Sequence, residues 1–204
     1  MADLVVRRMT ERNRERARRE IAEVAVRLFE QKGFHSVSVD EIATASGVSR
    51  RTFFRYFGSK EDVLFHEHAA IVDELRHLLF EPRDGRRTGT DLDHIARVMT
   101  AMFGRPRGEH DRAVNRLMLY EPALRARSDE LSADFERVIA EWLGGQGHSP
   151  TRATLLAGAC MGALRAGRRL ATAMGREHAA RIIDEAIRVL AEPWPDTPDP
   201  QRPD

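Results

Sequence analysis

Ser38-Val39-Asp40-Glu41-Ile42-Ala43-Thr44-Ala45-Ser46-Gly47-Val48-Ser49-Arg50-Arg51-Thr52-Phe53-Phe54-Arg55-Tyr56-Phe57 is the stretch on which the reading of this chain turns. Ser38 with Glu41 three positions on is a capping-box pattern, in which hydroxyl and carboxylate satisfy the open amides of a helix start. Ser49 is placed to cap a second helix, from Arg50 to about Phe57. Ser46-Gly47 separates the two, and Gly47 supplies the positive φ that a tight turn needs and a Cβ disfavours. Two short helices joined by a glycine turn are the architecture of a helix-turn-helix. Val48 can plug the space between them, and Ala43 is small enough for a close crossing. Ile42, Ala43, Phe53 and Phe57 then share a small core with Ile21, Leu28 and Phe29.

Upstream, apolar residues at 21, 24, 25, 28 and 29 have the spacing of an amphipathic helix, and Gly33 is its stop. Residues 1–18 are polar and include Arg7, Arg8, Arg12, Arg14, Arg16 and Arg18, with Arg19 following. The early part is expected to be a mobile arm and the later part to run into the first helix, either as a solvated helix start or as an arm touching DNA.

Downstream, Lys60-Glu61 is expected to open a long helix with apolar positions at 64, 71, 75, 78 and 79, ending near Phe80 ahead of Pro82. A polar Gly/Arg loop follows at 83–90. Further helices are predicted over 91–104, 109–119, 123–143, 150–174 and 176–191, with breaks at Gly104-Arg105-Pro106, Glu121-Pro122, Gly144-Gly145 and Gly175. Residues 192–204 hold five of the nine prolines and are expected to be disordered. The fold class is all-α: a three-helix helix-turn-helix DNA-binding domain over 1–60, with the Arg-rich arm at 1–18, and a helical regulatory and dimerisation domain over 61–191.

The net charge of +1 hides an asymmetry. Residues 1–60 carry 13 Lys/Arg against 8 Asp/Glu, whereas the remainder carries 20 against 24. Basicity at one end points to a polyanionic partner there. Arg50, Arg51, Thr52 and Arg55 lie near the start of the second short helix, the part that reaches base edges when such a helix enters the major groove. Arginine pairs bidentately with guanine, so Arg50 and Arg51 are candidate base readers. Ser49, Thr52, Tyr56 and Lys60 are donors placed for phosphates, which position a protein without reading sequence.

The stretch 21–64, and above all Val39 to Phe57 followed by Ser59-Lys60-Glu61, resembles the TetR family of bacterial regulators. The resemblance implies a homodimer with three N-terminal helices as the DNA head, a variable ligand-binding body, a dimer face on the last two helices, and repression relieved by ligand. Phe54 stands where many members carry a phosphate-contacting Tyr, whereas Tyr56 and Lys60 match the family's donors. Arg50-Arg51-Thr52-Phe53-Phe54-Arg55-Tyr56-Phe57 together with Leu119-Tyr120-Glu121-Pro122-Ala123-Leu124-Arg125-Ala126-Arg127 resembles the subgroup whose C-terminal domain is described as acyl-CoA-like ligand binding.

In the body, Met99, Met102, Phe103, Leu117, Met118, Tyr120 and Trp142 are read either as plain core or as the lining of an apolar pocket, with Arg116 or Arg125 meeting an anionic head group. Segment 150–174 is rich in small residues, among them Gly158, Gly162 and Gly167. Glycine inside a helix costs roughly 0.5–1 kcal/mol against alanine, so a close helix approach is expected there. With Ile182, Ile183, Ala186, Ile187 and Leu190 this suggests a two-fold four-helix interface.

Other classes find little support. His66 and His68, two apart on an expected helix, point to different faces and do not suit one metal ion. There is no activated nucleophile pattern, phosphate-cradling glycine loop or metal-ligand cluster, so neither an enzyme nor a cofactor is expected. The single Cys160 excludes an internal disulfide. With no long uncharged apolar run, a cytoplasmic protein without a membrane segment is expected. The competing reading is a DNA-binding architectural or partner-controlled protein that uses the same head without a small-molecule inducer.

Overall fold

The computed structural model describes residues 2–81, 89–104, 109–174 and 179–191. Along the chain run α1 (Ala2–Lys32), α2 (Val39–Ala45), α3 (Arg50–Tyr56), a 3-10 turn (Glu61–Phe65), α4 (His68–Phe80), α5 (Asp91–Phe103), α6 (Glu109–Tyr120), α7 (Pro122–Gly145), α8 (Pro150–Met174) and α9 (Ala179–Arg188), which closes in a 3-10 turn (Val189–Ala191). No strand occurs among the described residues. The expected disordered tail at 192–204, most of the loop at 83–90 and the break at Gly175 lie outside them.

Local chemistry explains many of these boundaries. Pro122 and Pro150 open α7 and α8 at the one helical position where a missing amide hydrogen costs nothing. At the end of α7, Gly147 has φ +95°, its amide donates to Gly144, and the His148 amide donates to Leu143. This is the reciprocal closure that satisfies the last free carbonyls of a helix. Thr90 and Asp93 form a complete capping box at the start of α5.

Two expectations fail at the N-terminal side. The arm is helical: α1 is continuous from Ala2. Lys60-Glu61 does not open a long helix. Val63 and Leu64 are both buried, and Asp62 accepts from Arg127 Nε of α7 at 2.7 Å. That segment is a tight 3-10 turn, and α4 begins only at His68. His66 therefore lies in the intervening turn, not on a helix with His68, although no metal-holding group of three or more ligands occurs among the described residues.

The chain forms two compact units, residues 1–71 with 106–133, and residues 72–105 with 134–204. The core of the first holds Ile21, Ala25, Phe29, Ile42, Ala43, Phe53 and Phe57, with Leu28 and Val48 packed against it. All of these but Ala25 are residues expected to share it. Ala113 of α6 and Leu124 of α7 are buried in the same core. In the second unit α9 packs against both α5 and α8. A Cβ on Gly104 would come within 2.8 Å of the Ala180 side chain, so the end of α5 and the start of α9 meet at a contact only glycine allows. No described helix is long and apolar enough to cross a membrane.

Candidate nucleic-acid interface

The α2–α3 unit is held at every junction by short-range hydrogen bonds. Ser38 Oγ accepts from the Glu41 amide at 3.1 Å, capping α2. Only this half of the expected capping box forms. The Glu41 carboxylate turns instead to Lys32 at the end of α1, whose hydrogen bond lowers its pKa. The exchange trades a local cap for a tie between α1 and α2. At the turn Gly47 has φ +67°, its amide donates to Thr44 at 3.1 Å, and Val48 donates to Ala43 at 2.9 Å. A Cβ at Gly47 would touch nothing within 4 Å, so backbone conformation alone demands glycine there. Ser49 Oγ then accepts from the Thr52 amide at 3.0 Å and caps α3.

With Phe53 and Phe57 buried, helical periodicity turns Arg50, Arg51, Phe54 and Arg55 outward, and all four are exposed. They are not equivalent. Arg50 is paired with Asp40 of α2 at 2.8 Å and lies over the Phe54 ring at 5.2 Å. Arg55 lies over the Tyr56 ring at 5.1 Å. Arg51 is exposed with no ion pair among the described residues. Thr52 and Tyr56 are half-buried, the hydroxyl of Thr52 engaged with Ser49 at 2.9 Å.

Lys60 is partly structural. Its ammonium donates to the carbonyls of Phe34 at 2.7 Å and Val37 at 3.0 Å and sits 4.1 Å from the Phe34 ring centroid. An ammonium has three N–H donors, so one is left for an outside acceptor. The sequence contains no signal for this double anchoring, because Lys60 is 26 residues from its first partner.

The residues read as ligand contacts divide between the units. In the second, Met99, Met102 and Trp142 are buried, Phe103 faces Phe135 edge-on at 6.1 Å, and His94 lies 5.0 Å from Trp142. In the first, Leu117 and Met118 pack on the helix-turn-helix core, Arg116 is bonded to Glu30 of α1, Arg125 is exposed, and Tyr120 is 79% exposed.

Comparison with known proteins agrees with this geometry. Residues 21–66 match the family described as bacterial regulatory proteins, tetR family, and residues 86–195 match the MftR C-terminal domain. A putative mycofactocin biosynthesis transcriptional regulator, MftR of Mycobacterium tuberculosis, is 34% identical over 60% of this chain, and the chain spans only 62% of that relative's length. Two solved structures share the fold. SmeT, the repressor of a Stenotrophomonas maltophilia multidrug efflux pump, superposes with TM-score 0.58 at 17% identity, covering 84% of this chain and 89% of its own. Thermus thermophilus FadR in complex with lauroyl-CoA superposes with TM-score 0.56 at 23% identity, covering 90% and 98%. With one match on the capped helix-turn-helix and another over more than half of the sequence, the chain belongs to the tetR family of bacterial regulatory proteins.

Proposed function

We propose that this chain is a dimeric transcriptional repressor that binds a near-palindromic operator in double-stranded DNA and is released by a small apolar, acyl-CoA or fatty-acid-like ligand. The observation that carries the DNA-binding reading is α3 itself. It is a short helix fixed by its cap, its turn and two buried phenylalanines, with cationic side chains on the face left outside. Such rigidity lets an arginine spend little conformational entropy on meeting a base. In this reading Arg50 and Arg51 read bases, Ser49, Thr52, Tyr56 and the third N–H of Lys60 hold phosphates, and Phe54 and Arg55 flank them. Residues 1–60 carry the DNA contact, and 61–191 regulation and dimerisation.

A dimer through α8 and α9 is supported by the environment of the α8 glycines. A Cβ at Gly167 would lie 3.4 Å from Ile183 of α9, so this position faces a neighbour inside the protomer. A Cβ at Gly158 or Gly162 would meet nothing within 4 Å, and Leu155 and Leu170 are 69% and 51% exposed. Two helix-weakening glycines beside exposed leucines are accounted for by a second copy. The ligand reading is supported by the flexible apolar side chains of Met99 and Met102, which with Trp142 are buried in the second unit, and by the lauroyl-CoA in complex with Thermus thermophilus FadR, which shares the fold.

Selection of bound sequences from a random DNA pool tests the proposal. Two inverted half-sites whose centres lie about 34–36 Å apart, or a multiple of that, are expected, because a two-fold dimer presents two identical helices to one face of DNA. Enrichment of a single asymmetric half-site, or of none, rejects it.

A further inference from the structure

We infer that the N-terminal extension of α1 is a second DNA contact, in which Arg14 grips the phosphate backbone of the duplex flanking the site occupied by α3; this rests on the DNA-binding reading above.

Among the described side chains of α1, burial begins at Ile21 and continues through Ala22, Ala25, Val26 and Phe29. Yet the helix begins at Ala2, nineteen residues earlier. At 1.5 Å per residue that is about 28 Å of helix ahead of Ile21. Those residues carry seven arginines against four acids. An isolated helix of that length is marginal in water, so a binding partner has energetic reason to be there.

Register gives the extension a direction. Phe29, Ala25, Ala22 and Arg18 fall on one face at steps of four, three and four, and Arg14 is the next step of four. The half-buried Arg18 marks where this face leaves the core: its guanidinium lies 5.5 Å from the ring centroid of Phe57, the residue that ends α3. Arg14 therefore stands one turn, about 6 Å, further out on the face that meets the end of the DNA-reading helix. Arg16 and Arg19 pair with Glu20 at 3.7 Å and Glu67 at 3.6 Å. Arg14 is exposed and has no ion pair among the described residues. The positive sign, and the contact of Arg18 on the same face with Phe57 at the end of α3, select duplex DNA as the occupant. A single exposed guanidinium on the side of a helix suits phosphate, so the contact adds affinity without reading sequence.

The test uses the full chain and the strongest-binding duplex from the random-pool selection. That duplex is prepared trimmed to its two half-sites and extended by ten base pairs at each end. Binding is measured over a salt series for the wild type, Arg14→Gln, Arg14→Lys and Arg51→Ala. The wild type should prefer the extended duplex several-fold. Arg14→Gln should abolish that preference and lower the salt slope on the extended duplex by about 0.9 per protomer, and Arg14→Lys should restore both. The trimmed duplex should not distinguish Arg14→Gln from wild type. Circular dichroism should show equal helix content, because glutamine is a good helix former. Should Arg14→Gln bind both duplexes like the wild type, or weaken both equally, the extension makes no flanking contact. If Arg51→Ala alone then loses sequence preference, the α3 reading stands without it. If Arg51→Ala keeps full preference, the α3 reading falls and the extension proposal falls with it.

Discussion

Lys60 and Arg51 show how differently two cations of one head are used. Lys60 serves two carbonyls and two aromatic rings of the α1–α2 corner, whereas Arg51 extends from α3 into solvent. Removing Lys60 strands half-buried acceptors, a loss of about 1–3 kcal/mol. Lys60→Ala should therefore lower the urea midpoint, weaken operator and scrambled DNA alike, and reduce the salt slope by about one phosphate's worth. Arg51→Ala should leave the urea curve unchanged, cost about 1–3 kcal/mol on the operator, and relax preference at one base pair. Equal losses on operator and scrambled DNA for Arg51→Ala would refute its base-reading role.

At the scale of elements, α5 and α8 carry separable expectations. Asp93 accepts from the Thr90 amide at 2.7 Å and the Thr90 hydroxyl at 2.9 Å, and Arg188 of α9 bonds its other oxygen. The Thr90 bonds, with lesser help from Arg188 and Arg97, hold its pKa below the usual carboxylate value. A carboxylate depressed by folding adds stability that is fully present above its unfolded pKa, about 3.9, and is lost as pH falls through the lower folded value. Urea titrations from pH 7 downward should show wild-type stability falling below about pH 4. Asp93→Asn should be less stable at pH 7 and flatter in acid, and a parallel pH profile would contradict the assignment. In α8, Gly162→Leu should dissociate the dimer in sedimentation while leaving the protomer folded, because a Cβ there has open space for 4 Å within its own chain. Gly167→Leu should instead unfold the protomer, driven into Ile183 at a contact already 3.4 Å from the Cβ. A dimeric Gly162→Leu places the interface elsewhere.

For the whole molecule, the decisive feature is that α7 belongs to both units. Leu124 in its first turn is 0% exposed in the head core, and Ile139 and Leu143 further along are buried in the second unit. Around Leu124 the corner is tied down by Arg127 to Asp62 and by His35 to Glu121 at 2.8 Å. Under the proposed reading, a ligand bound in the second unit weakens the hold on DNA. Coupling of about 1–3 kcal/mol changes DNA affinity roughly 5–150-fold, and reciprocity requires the operator to weaken ligand binding by the same factor. Titrating acyl-CoAs and fatty acids of graded chain length, with and without operator, checks this. Equal affinity of a bound ligand for free and DNA-bound protein would remove it as an inducer and favour control by a protein partner.

Most of what is encoded within a turn or two of the chain was legible in the residues themselves. Ser38 and Ser49 as caps, Gly33 and Gly47 at positive φ, and Pro150 at a helix start act on neighbours three to five residues away, so their types at those positions suffice. The apolar periodicity likewise placed the head core and most helix ends. Tertiary structure alone decided who pairs with whom over distance. Glu41 abandons its local cap for Lys32, Lys60 folds back on Phe34 and Val37, and Val63-Leu64 are drawn into a 3-10 turn. Of three glycines alike in sequence, α9 claims only Gly167. The α6–α7 corner joins the core of a head 60 residues away in sequence, since burial rewards proximity in space and leaves no periodic mark of which surface will cover it.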